Sequence, residues 1–80
     1  MDDLTNIIQA FEDLKSDSTV PKNTRTKMSV LVGSLKDEKV DIDIRVNKVL
    51  DELESIANDA NVPSFTKTQV MNIQCLLEML

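Results

Sequence analysis

Eighty residues with one cysteine, no histidine and a net charge of −5 make a single small domain. It closes no internal disulfide and offers none of the common histidine-based zinc or haem sites. Fourteen acids against nine bases repel phosphate backbones and anionic lipid heads, which disfavours general binding to nucleic acid or membranes.

No apolar run approaches the ~20 residues that span a bilayer. The start, Met1-Asp2-Asp3, is acidic and unlike a secretory leader. A lone thiol fits a reducing compartment, so a cytoplasmic protein is expected. One glycine, two prolines and two phenylalanines as the only aromatics point away from β-rich folds.

Helix one is predicted from Asp3 to Ser16. Leu4, Ile7, Ile8, Phe11 and Leu14 recur at three and four, one apolar stripe on a 3.6-residue period. Asp2 and Asp3 suit an N-terminal cap and the helix dipole. Asp17 and Ser18 make a tight connection, with the Asp17 carboxylate expected to bond backbone N–H groups of the turn.

Helix two is predicted from Pro21 to Lys36. Proline suits a first turn, Val20 before it is held extended, and Thr19 is a candidate cap. The inward stripe is Thr24, Met28, Leu31 and Leu35, with Val30 and Val32 outside it. Gly33 sits mid-helix, either as a tolerated flaw or as a place where another backbone comes close.

Residues 36–40 are charged and read as a long connection. Val40 to Val46 alternates as a strand does, but a lone strand has no ladder to join. Helix three is therefore predicted from Ile42 or Ile44 to Asn58, capped by Asp41 or Asp43, with Asn58 as a left-handed stop. Helix four is predicted from Pro63 to Met79, with Thr66, Val70, Ile73, Leu77 and Leu80 inward.

A shift of 42 positions lays the second half on the first. Asp17-Ser18-Thr19-Val20-Pro21-Lys22-Asn23-Thr24-Arg25-Thr26 falls on Asp59-Ala60-Asn61-Val62-Pro63-Ser64-Phe65-Thr66-Lys67-Thr68, with five of ten pairs identical. Val49, Leu53 and Ile56 fall on Ile7, Phe11 and Leu14. Two helical hairpins follow, one over about residues 1–38 and the other over about 43–80. The expected fold is all-α, a four-helix antiparallel up-and-down bundle in a single domain over 1–80. Asp17, Pro21, Arg25 and their partners Asp59, Pro63, Lys67 form the helix corners. Each base is expected to reach back to its own corner acid, worth ~1 kcal/mol or less.

The repeat period has the flavour of HEAT units. A more specific pattern is Asp17-x-x-Val20-Pro21-x-Asn23-x-Arg25, then Ile42-x-Ile44-Arg45-Val46, Leu50-Asp51-Glu52-Leu53, and Asn58-Asp59-x-Asn61-Val62-Pro63-x-x-Thr66. With these blocks spread over nearly the whole chain, the sequence resembles a family of short, uncharacterised archaeal proteins. The resemblance implies a compact four-helix bundle of archaeal cytosolic origin. It carries no activity, substrate or catalytic residue.

No enzyme chemistry stands out. Cys75 has no histidine to activate it. Glu12 and Glu54 are matched between the copies, but the Glu-x-x-His pairs of dinuclear bundles are absent. Asp41-x-Asp43 lacks the glycine and the closing glutamate of a calcium loop. Neither a metal nor another cofactor is expected. A basic set, Lys15, Lys22, Arg25, Lys27 and Lys36, is the only support for a nucleic-acid accessory role.

The two copies differ most on the outside of helix four. Met71, Cys75 and Met79 fall opposite the inward stripe, with Leu76 and Leu80 at its edge. Their counterparts Ser29, Gly33 and Asp37 are small or polar. Exposed contiguous apolar surface marks association, and methionine suits adaptable contacts. A protein-interaction or homodimer face is expected here. The competing expectation is that helix four is buried on two sides within the monomer.

Overall fold

Four helices hold most of the described residues: α1 (Asp3–Lys15), α2 (Lys22–Leu35), α3 (Ile42–Ala57) and α4 (Ser64–Glu78). The structure is a computed structural model and describes residues 3–80. The expectation for Asp2 lies outside the described residues. No strand occurs among them; Val40 and Asp41 end a corner and Ile42 begins α3.

Each helix packs on its two neighbours, α1 on α2, α2 on α3, α3 on α4 and α4 back on α1. Helices on the diagonals do not approach closely. The arrangement is thus a closed four-helix bundle, 32 × 22 × 20 Å, and not an open stack. Short connections make successive helices run antiparallel.

The core follows from the 3.6-residue period. Ile7, Phe11 and Leu14 of α1 are buried, and so are Val49, Leu53 and Ile56 of α3, 42 positions on. Thr24, Met28, Leu31 and Leu35 of α2 are buried, as are Thr66, Val70, Ile73 and Leu77 of α4. Val20 and Val62, on the two corners at one end of the bundle, are buried too. Burying each large aliphatic or aromatic side chain contributes ~1.5–3 kcal/mol. Two details depart from expectation. Val32 joins the core, and Leu80, placed inward from the sequence, is exposed just beyond the end of α4.

The charged stretch after α2 is not a longer connection. Residues 16–21, 36–41 and 58–63 are three corners of equal length and the same build. In each, the aspartate N–H donates to a carbonyl three residues back: Asp17 to Leu14, Asp37 to Ser34, Asp59 to Ile56. Its carboxylate accepts the N–H two residues on: Thr19 at 2.9 Å, Lys39 at 3.1 Å, Asn61 at 2.9 Å. Its carbonyl accepts the N–H of Val20, Val40 or Val62. The next residue, Pro21, Asp41 or Pro63, sits at φ −59 to −55° and ψ 142 to 150°, an extended geometry that proline favours.

This device replaces the usual glycine. No described residue has positive φ. Asn58, expected as a left-handed stop, is right-handed at φ −93° and ψ −3°. The carboxylate of Asp59 satisfies the turn instead. Thr19 does not cap α2; its hydroxyl donates to the Asp17 carboxylate at 2.7 Å. Asp41 holds the N-cap position of α3 without a side-chain cap bond. A Cβ on Gly33 would meet nothing within 4 Å, which removes the close-approach reading.

Candidate interaction face

The inner stripe of α4 packs on α1 and α3, which turns its other side to solvent. Met71 is 57% exposed and Met79 80% exposed, and Cys75, Leu76 and Leu80 are exposed as well. Burial of α4 on two sides is therefore not what the monomer does. Contacts with α1 and α3 fill one arc of the helix and leave the opposite arc open.

The exposed residues divide between the flanks. Met71 and Cys75 border a groove against Glu54, Ala57 and Asn58 of α3 and its cap. Leu76 and Met79 border a groove against Asp3, Asn6 and Ile7 of α1. That second groove continues along Leu76 to Ala10, Asp13, Asp17 and an exposed phenylalanine, Phe65. Phe65 lies outside the stripe expected from the sequence. The signal for it was present, because its counterpart in the first copy is Asn23.

The expected corner ion pairs do not form. Among the described residues the one ion pair is Lys15–Glu12, at 3.4 Å. The Asp17 carboxylate is instead held by the Thr19 hydroxyl and the Thr19 N–H, which keep its pKa below the ordinary aspartate range. At the corner between α2 and α3 a cation serves carbonyls instead. Arg45, at the position matching Arg25 and Lys67, donates from Nε to the Val40 carbonyl at 2.7 Å and from Nη1 to the Leu35 carbonyl at 2.8 Å. Arg25 leaves its own buried Nε without a partner.

The chemical alternatives do not assemble. Glu12 and Glu54 stand on α1 and α3, helices that do not approach each other closely. Among the described residues no group of three or more potential ligands could hold a metal ion. The groove beside Cys75 is lined by Glu54, Gln74 and Glu78 and contains no lysine or arginine. Of the basic set, Lys22, Arg25 and Lys27 share the first two turns of α2. Lys15 is tied to Glu12, and Lys22 and Lys36 flank opposite ends of α2, ~20 Å apart. No described helix is long and apolar enough to cross a membrane.

A closed ring of four helices, joined by three aspartate corners and carrying one apolar outer helix face, defines a small all-α bundle protein. The chain belongs to the uncharacterised protein family UPF0147, whose model matches residues 1–80. Archaeal relatives are similar over most of the chain. A UPF0147 protein of Methanosarcina mazei is 34% identical over 71 residues, covering 89% of this chain and 76% of the relative. One of Thermoplasma volcanium is 36% identical over 74 residues, covering 92% and 83%.

Two crystal structures share the fold. A UPF0147 family protein from Thermoplasma acidophilum superposes with a TM-score of 0.91 at 36% identity, covering 96% of this chain and 92% of that one. A protein of unknown function superposes with a TM-score of 0.90 at 32% identity, covering 99% and 90%.

Proposed function

We propose that the protein is a non-catalytic interaction module that binds other protein surfaces, a second copy of itself included, through the outer face of α4. One observation carries this reading: Met71, Cys75 and Leu76 on α4, and Met79 and Leu80 just beyond its end, stay exposed while the inner face of the helix is already fully packed. The matched helix of the first copy and the corner after it carry Ser29, Gly33, Ser34, Asp37 and Glu38 at those positions. The polar version shows that packing of the hairpin does not require apolar residues there. Several large apolar side chains left exposed on one helix and its end point to association.

The test is a Met71→Glu/Met79→Glu double variant. Both positions are solvent-facing, so the helical signal and melting temperature should stay close to wild type. Sedimentation and tagged isolation from native cell extract are then run on both proteins. Self-association or retained proteins present with wild type and lost with the double variant support the reading. Identical behaviour of the two folded proteins refutes it.

A further inference from the structure

We propose that the groove between α1 and α4 is a docking site for a cationic amphipathic segment of another protein. The inference deepens the interaction reading of α4, on which it rests, by stating the chemistry of the occupant.

The two walls of this groove are chemically unlike. The α4 wall presents Phe65, Leu76 and Met79, all exposed, with neutral Gln69 and Asn72 between them. The α1 wall and its corner present Asp3, Asp13 and Asp17. No lysine or arginine lines the groove at any point. The base at the end of α1, Lys15, is occupied by Glu12.

The internal repeat supplies a control within the same molecule. The α2/α3 groove is the counterpart of the α4/α1 groove under the 42-residue shift. It is lined by Lys27, Lys48 and one acid, Glu52, with Val30 and Ser34. At the matched positions the α4/α1 groove has Gln69 for Lys27, Asn6 for Lys48 and Leu76 for Ser34. Asp3 stands for Arg45, Asp13 for Ser55 and Phe65 for Asn23. Relative to its counterpart, this groove has lost every base and gained large apolar groups, while its acids have moved, with Ala10 standing for Glu52 and Met79 for Asp37. Shared scaffold geometry does not explain a difference between two copies of one scaffold.

The occupant follows from the walls. Apolar side chains would lie on Phe65 and Leu76, and Lys or Arg side chains would reach the carboxylates opposite. From Asp3 to Asp17 the groove runs ~20 Å, the length of about four helical turns. An amphipathic helix laid in a groove is a recurring mode of recognition. A second copy of this face is a poor occupant, because two acidic walls would meet and like charges repel.

The probe is a fluorescent 18-residue Leu/Lys amphipathic peptide, titrated into the full chain by anisotropy. Two controls accompany it: the same apolar pattern with Glu in place of Lys, and the Leu/Lys composition scrambled. The Leu/Lys peptide should bind at least tenfold more tightly than either control, and binding should weaken with added salt. Phe65→Ser/Leu76→Ser and, separately, Asp3→Lys/Asp13→Lys should each weaken it at least tenfold with the helical signal unchanged. Met71→Glu, on the other flank of α4, should leave it unaltered.

Equal binding of the Glu peptide or of the scrambled peptide overturns the proposal. So does indifference to both groove variants. If no peptide binds while the protein self-associates through Met71 and Met79, the groove inference fails and the broader reading of α4 stands. If neither occurs, both fail.

Discussion

Arg45 and Leu35 lie ten residues apart and are joined by a 2.8 Å hydrogen bond from the guanidinium to the last carbonyl of α2. The same side chain holds the Val40 carbonyl. One cation on the first turn of α3 thereby satisfies acceptors that the end of α2 and the corner leave open. It also favours the negative end of the α2 dipole.

Replacing Arg45 by methionine keeps much of the apolar stem and removes both bonds. Hydrogen bonds to a charged group contribute ~1.5–3 kcal/mol each when well shielded, and Arg45 is only half-buried. A loss of about 1–3 kcal/mol is expected for Arg45→Met, read from urea denaturation midpoints. A loss of a few tenths would show that solvent replaces the clamp.

The Asp17 corner makes stability sensitive to acid. Its folded pKa is depressed by the Thr19 hydroxyl and N–H, so the unfolded chain binds the proton more readily. Its contribution is complete above the unfolded aspartate value of ~3.9 and is lost as pH falls through the folded value. Melting temperatures recorded from pH 7 downward should fall more steeply below about pH 4 for wild type than for Asp17→Asn. Parallel curves would assign the acid response to other carboxylates.

Gly33 is the clearest place to add stability. Its backbone is helical, and a Cβ would enter open space. Gly33→Ala should raise stability by ~0.5–1 kcal/mol, because alanine loses less backbone freedom in a helix. Calorimetry showing no gain or a loss would mean that something occupies that space.

Thr66 presents the opposite case, a hydroxyl sealed in the core with no partner. An unsatisfied buried polar group costs ~1–3 kcal/mol. Valine has nearly the same shape and no hydroxyl, so Thr66→Val should stabilise the protein by about 1–2 kcal/mol. A destabilised variant would point to a buried water bonded to that hydroxyl.

The helices were legible because each buries one stripe, and a stripe at three and four leaves a periodic trace. The corners at Pro21 and Pro63 were legible because proline restricts itself and its predecessor. The corner at Asp41 was not, since no proline marks it. Its trace is the spacing Asp37-x-x-Val40, repeated at Asp17-x-x-Val20 and Asp59-x-x-Val62, a hydrogen-bonding pattern and not a pattern of hydrophobicity. The alternation from Val40 to Val46 was a false lead because Ile42 and Ile44 are exposed at the start of α3. Phe65 is not legible along the single line of α4 that carries Met71, Cys75 and Met79. The structure distributes the apolar residues over two flanks, and which flank meets which helix depends on tertiary packing.

Three edges of the ring are bridged by a peptide corner, and the edge between α1 and α4 is closed by side chains alone. Separation there requires no rearrangement of a turn, so deuterium should enter that border ahead of the other three. A molecule lying across it would act as a clasp, and its binding energy would be felt as resistance of the whole bundle to opening.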